Sequence, residues 1–351
     1  MTHASSRPWS WLLLVLVVAV AGCDRTPRLV PAAADSTATG DSLAILTRIA
    51  GERWADGKGD EAAVASARVL RMRLAADPAV VWADRARTLL DSLGIAAEVA
   101  GFDRFVAVNL FSRTEVDGPT WPHLFWFEDG TVRMQVIEGR AMRLMGANAR
   151  RFEDGAATDS SQVAVLWGRK VASGVQPLLL TWRHAAGGRW DLAQTLGADS
   201  LGGTGRGEFV GEDLVTRTWR ATPYFDENCA NCPHVIRERR FEWGPDGYTR
   251  ISDSIVPSPY ATFTALIHAL ATADREAAER LVVDPSLVEF AQRYEWHDPA
   301  LGRWRAAPGS DLAASELVFF RGRQDAYRVS FQSRGNGFVV LGFEAVPRSV
   351  E

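Results

Sequence analysis

Residues 123–137 read HLFWFEDGTVRMQVI, two apolar-rich segments that meet at Asp129-Gly130. Both central positions of a two-residue hairpin turn need positive φ, and Asp-Gly meets that need at little cost. The same grammar recurs across residues 100–256. RFVAVNLFS (104–112) alternates apolar and polar, PLLLTWRHAAGGRWDLAQTL (177–196) turns at Gly187-Gly188, and EDLVTRTWR (212–220) alternates again. HVIRERRFEWGPDGYTRISDSI (234–255) turns between Gly244 and Gly247. Many short period-two segments with regular turn signals predict an antiparallel all-β region, a sandwich or a strongly curved sheet. A propeller is the alternative. The repeated FEDG (Phe127, Phe152) and TWR (Thr181, Thr218) lack a fixed period, and the region is short for closed four-stranded blades.

The flanks follow a different period. Residues 41–98 read as a helical region. Asp41 caps a first helix carrying Leu43, Ile45, Leu46 and Ile49, and Gly57–Gly59 breaks it. A second helix spans Asp60–Ala76 on Ala63, Val64, Ala67, Leu70 and Leu74. Asp77-Pro78 opens a third, with Val81, Ala86, Leu89, Leu90 and Leu93, which Gly94 stops. One such hairpin is too little for a repeat array, so it is expected to be an arm packed on the next region.

After Val256-Pro257-Ser258-Pro259 the period changes from two to 3.6. Three helices are predicted: one carrying Tyr260, Phe263, Leu266, Ile267 and Leu270, a short one after Asp274, and one after Asp284-Pro285. Strands ELVFFRG, AYRVSFQSR and GFVVLGFEAV follow. Helices before an antiparallel sheet make residues 257–351 an α+β domain, and the whole chain a multidomain α+β protein. This element order resembles the cone-shaped fold of the nuclear transport factor two and ketosteroid isomerase class. The resemblance covers the C-terminal quarter and rests on order, not on a motif. Isomerase-type chemistry in such a cone would need an acid and a base facing its interior. Tyr260, Tyr294 and Tyr327 are the available donors, with no strand-borne carboxylate beside them.

The N-terminus sets a location. Arg7 precedes an unbroken apolar run, Trp11–Ala21, which is far shorter than the ~20 residues of a membrane-spanning helix. A charged start, a short apolar core and small residues describe a secretory signal. Its last four residues, Val20-Ala21-Gly22-Cys23, resemble the lipobox of bacterial lipoproteins. The resemblance implies removal of residues 1–22, diacylglyceryl transfer to the Cys23 thiol and palmitate-type acylation of the new amino terminus. More than one chain gives stable attachment. Asp24 resembles the inner-membrane retention residue of enteric bacteria, and the choice between inner and outer membrane stays open. Residues 23–40, rich in Ala, Pro, Ser and Thr, are expected to be a disordered tether.

An exported compartment frames the two remaining cysteines, Cys229 and Cys232, in DENCANCPHVIRERRFEW. Haem attachment needs His directly after the second Cys, where this chain has Pro233. A thioredoxin-type pair needs a helix after the first Cys, and a strand pattern follows instead. Zinc could draw on Cys229, Cys232, His234 and Asp226 or Glu227, although four ligands so close in sequence leave little room for tetrahedral closure. The leading expectation is a local disulfide clipping a loop, contributing no more than about 2 kcal/mol. No other cofactor is expected.

Other motifs are thin. Gly202–Gly207 lacks the Gly-Lys-Ser/Thr and the following helix of a phosphate loop. His123, His184, His234, His268 and His297 are scattered over separate elements, with His268 expected at the surface. The carboxylates of DEN and GED read as solvated loop charges. A net charge of −4 gives no reason to expect nucleic-acid binding. The thirteen tryptophans are expected to fill β cores, with a carbohydrate-binding surface as the other reading. The function expected from sequence is therefore a membrane-tethered envelope lipoprotein with a non-enzymatic structural or interaction role toward an envelope protein partner. A module binding a small apolar ligand in the C-terminal domain comes second, and a hydrolase with dispersed catalytic residues third.

Overall fold

The computed structural model describes residues 29–31 and 40–348, apart from 78–80, 113–117, 140, 155–157, 185–188, 228–231, 309 and 312. The signal with Cys23, Asp24, Pro78, Gly187-Gly188 and Cys229 fall outside the described residues.

Three helices come first among the helical elements, α1 (Gly40–Ala55), α2 (Gly59–Ala76) and α3 (Trp82–Ser92). They cover one face of a five-stranded antiparallel sheet made of β1 (Leu29–Pro31), β2 (Ala96–Phe102), β3 (Phe105–Phe111), β4 (Thr120–Glu128) and β5 (Thr131–Ile137), in the order β1-β5-β4-β3-β2. The expected stripe of α2 packs inward through Ala63, Ala67, Leu70 and Leu74, whereas Val64 faces out. The third helix starts at the fully buried Trp82, whose backbone N–H donates to Asp103 O. Leu29–Pro31, placed by composition within the tether, pairs with Ile137–Gln135 as an edge strand.

Two further four-stranded meanders follow. The second sheet is β6 (Met142–Asp154), β7 (Thr158–Val171), β8 (Gly174–His184) and β9 (Trp190–Leu196). A single helical turn, α4 (Ala198–Leu201), leads to the third sheet of β10 (Thr204–Val210), β11 (Asp213–Trp219), β12 (Arg237–Gly244) and β13 (Gly247–Ile255). The three sheets stack face to face. Phe105, Ala107 and Leu124 of the first meet Val163, Val165, Trp167 and Trp182 of the second. Ala164, Leu166 and Leu179 on the other side of the second meet Leu214, Phe241 and Trp243 of the third. The β4–β5 turn has the form its sequence requires, with Asp129 at φ 49° and Gly130 at φ 73°.

The C-terminal region is α5 (Pro259–Ala271), α6 (Arg275–Arg280) and α7 (Ser286–Arg293), then β14 (Trp304–Ala306), β15 (Glu316–Arg321), β16 (Asp325–Arg334) and β17 (Gly337–Ala345), paired in sequence order. Ser258 caps α5 by accepting from Ala261 N, with Pro259 in the first turn. Phe263, Ile267 and Leu270 share one core with Val329 and Phe331, and Leu281 packs against it. That core does not stop at the proline break. Phe225, from the segment joining β11 to β12, is fully buried in it and forms a parallel bridge with Trp304. Two 2.8 Å bonds hold the bridge, Asp226 N to Trp304 O and Trp304 N to Tyr224 O.

Leu270 is 6% exposed, while His268, two residues away, faces solvent. Leu270→Ala is expected to cost about 2–5 kcal/mol of stability in urea unfolding. His268→Ala should stay within about 0.5 kcal/mol.

Candidate functional site

The interior of the C-terminal module, where a cone would hold its ligand, is packed with aromatic side chains. Phe263 stacks on Phe319 at 3.9 Å and meets Trp296 and Trp304 edge-on at 5.4 and 5.1 Å. Trp296 lies 4.3 Å from Phe343 and 5.2 Å from Tyr327. Such pairs fill the space with offset and edge contacts, the arrangements that ring quadrupoles favour.

A carboxylate is sealed beside this cluster. Glu227 is 1% exposed; its Oε1 accepts from the Tyr260 hydroxyl at 2.8 Å, and its Oε2 accepts from Thr222 N at 3.0 Å and from Thr222 Oγ1 at 3.3 Å. Burial pushes its carboxyl above the ordinary range, and the Tyr260 and Thr222 bonds pull it part of the way back. Burial and the neighbouring carboxylate also push the Tyr260 hydroxyl up. The pair closes on itself and joins the β11–β12 segment to α5. In PYFDENC the side chains alternate, Phe225 in, Asp226 out, Glu227 in. That period-two reading is the signal that could have located Glu227. Of the other tyrosines, Tyr327 sits in the aromatic core and Tyr294 is 48% exposed, so the three hydroxyls do not share one space.

Of the residues considered for zinc, Cys229 lies outside the described residues. Cys232 is disulfide-bonded. His234 is buried and stacked on Trp219 at 3.3 Å, and Asp226 faces solvent. Among the described residues no group of three His, Cys, Asp or Glu could hold a metal ion. His123, pushed down to about 4 by burial, is neutral at neutral pH and donates from Nδ1 to Trp121 O at 2.9 Å. His268 and His297 are exposed. The glycines of 202–207 serve close backbone approach: a Cβ on Gly205 would stand 2.2 Å from Arg217 O, and one on Gly203 2.3 Å from Trp219 O.

Open space lies elsewhere. A hollow of about 1020 Å³ on the outer face of the last sheet is rimmed by Arg305, Arg323, Arg328 and Arg348 around Phe320. A cleft of about 510 Å³ separates the third sheet from α5, lined by Trp219, Tyr224, Arg237 and His268. A third, of about 550 Å³, opens at one end of the first two sheets, with Trp190 and His184 in its wall. No protein-family model matches the chain, and neither a curated protein nor a solved structure matches it.

Two outcomes are expected. A raised folded-state carboxyl pKa stabilises the fold fully below the ordinary value of about 4.5, and that contribution is lost as pH climbs through the raised value. Wild-type stability relative to Glu227→Gln should therefore fall with rising pH, by at most about 1.36 kcal/mol per pH unit, and then level off; a rise would show that the donors keep the carboxylate ionised. Alkylation of the exported chain without reductant should leave Cys229 and Cys232 unmodified, and bound zinc with two alkylatable thiols would contradict this.

Proposed function

We propose that the chain is a lipid-anchored protein of the bacterial cell envelope with a non-catalytic interaction role. The observation that carries the reading is the filled C-terminal interior. The space an isomerase or a hydrolase of this shape would leave for substrate is occupied by Phe263, Trp296, Trp304 and Phe319, and the nearby carboxylate is bonded to Tyr260 instead of facing a cavity. The lipobox supports attachment through Cys23. No helix among the described residues is long and apolar enough to cross a membrane, so the acyl chains would supply the anchorage. Asp24 favours the inner membrane where the enteric sorting rule holds.

The sealed carboxylate is a feature that favours a hydrolase, and complementation separates the readings. In a strain lacking the protein, sensitivity to detergents and dyes reports envelope integrity. Wild type and Tyr260→Phe should restore resistance equally, while Cys23→Ala, left unlipidated and released into the aqueous phase on detergent extraction, should not. Failure of Tyr260→Phe at an undiminished protein level would assign chemistry to the Glu227–Tyr260 pair and overturn the non-catalytic reading. A wild-type chain that partitions into the aqueous phase with an unmodified N-terminus would overturn the anchor.

A further inference from the structure

The cleft at the end of the first two sheets combines three features. The first is exposed aromatic surface. Trp82, Trp167, Trp182, Trp243, Trp296 and Trp304 are each under 2% exposed and serve as core, but Trp190 is only half-buried and lines the cleft. Phe102, 38% exposed, lines it too, and His184 lies 5.0 Å from Trp190.

The second is a pair of carboxylates at the mouth. Asp103 and Asp129 occupy the tips of the β2–β3 and β4–β5 turns at φ 46° and 49°, and β3 pairs with β4, so both tips lie at one end of the sheet. Aspartate tolerates this left-handed backbone, which explains the residue type at each tip. It does not explain why aromatic faces are left open beside them. Neither carboxylate has an ion-pair partner among the described residues, whereas Glu128, deeper in the cleft, is engaged by Trp190 N at 3.0 Å and Arg133 at 3.1 Å.

The third is rigidity. Asp103 O accepts from Trp82 N, Phe127 N donates to Arg104 O, and Arg104 lies 5.0 Å over the Phe127 ring. The tips are therefore pinned to the helical layer and to each other, and the site is preformed. Its volume falls in the ~300–1,000 Å³ range of ordinary small-ligand sites.

We infer that this cleft binds a neutral oligosaccharide. A pyranose presents a C–H face that packs on an aromatic ring and equatorial hydroxyls that donate to carboxylates. Phe102 and Trp190 provide the rings, and Asp103 and Asp129 the acceptors. A wholly apolar ligand would strip water from these carboxylates without replacing it. A phosphate-bearing one would meet two unpaired carboxylates, because the two arginines that also line the cleft are engaged, Arg104 over the Phe127 ring and Arg150 with Glu212. The binding extends the interaction role proposed above but is independent of the anchor.

The test is saturation-transfer NMR and calorimetry on the full mature chain in a micelle of a detergent without a sugar head group, with cellotriose, chitotriose and maltotriose as probes. At least one should receive saturation at its ring C–H protons. Trp190→Ala and Asp103→Asn should each weaken its binding about tenfold, while Trp190→Phe retains most of it. Trp190 also contacts Phe105, so Phe102→Ala, at an exposed position, serves as the variant that leaves the core alone. His268→Ala should bind as wild type. Cys23→Ala should also bind as wild type even if the anchor reading fails. No transfer to any of the three sugars from the folded wild type would overturn the proposal. So would transfer undiminished in both Phe102→Ala and Asp103→Asn, or displacement of bound sugar by an uncharged aromatic hydrocarbon.

Discussion

A sheet that is apolar on both faces must be covered on both faces, and the rest of this molecule is arranged around that demand. In β3, Val106, Val108 and Leu110 point to the helices while Phe105 and Ala107 point to the second sheet. In β7, Val163, Val165 and Trp167 face the first sheet while Ala164 and Leu166 face the third. Each layer therefore leaves one apolar face for the next, and burial at roughly 25 cal/mol per Å² drives the stacking. The sequence ends when a face is polar enough to meet water. On the outer face of the third sheet the pairs Arg217–Glu238 and Arg240–Asp213 lie at the surface. Exposed pairs of this kind contribute little each; their effect is to make that face soluble.

The same constraint explains which elements were legible. Hairpins with one polar face declared themselves, and so did the Asp129-Gly130 turn and the Ser258-Pro259 cap, because their signals are local. The strand pair β6–β7 did not. VAVLW (163–167) is a continuous apolar run, which is what burial on both faces produces and what a period-two template misses. AAEVAGF, the edge strand β2, is rich in Ala and Gly and has weak strand propensity of its own; its pairing with β3 and its packing under α3 decide its state. Leu29–Pro31 looked like tether because three residues carry no pattern, and only the free edge of β5 gives them a place.

The candidate sites divide along the same line. A local motif such as CxxC can be weighed from its neighbours, and the histidines could be judged scattered. Glu227 and Tyr260 lie 33 residues apart and meet only because the β11–β12 segment crosses into the C-terminal core. Nothing near DEN distinguishes an interior glutamate from the exposed aspartate beside it except alternation over three residues. The oligosaccharide cleft is hidden for the same reason. Asp103, Asp129 and Trp190 are each ordinary in their own segments, two turn residues and one strand residue, and their association follows from the stacking of two sheets.

The β11–β12 segment shows how the layered body and the C-terminal module are made one structure. A connection between adjacent antiparallel strands needs only a few residues, yet this one runs from Arg220 to Ile236. The excess length carries Phe225 into the aromatic core, sets Asp226 N and Tyr224 O against β14, and seats Glu227 on α5. Removing a buried carboxylate's partners leaves its desolvation uncompensated, at about 1–3 kcal/mol or more. Withdrawing the segment would also expose Phe225. Separation of the two regions is therefore opposed by an apolar anchor at Phe225 and a polar one two positions on at Glu227, and the polar one needs both sides present. The disulfide at Cys232 belongs to this same segment.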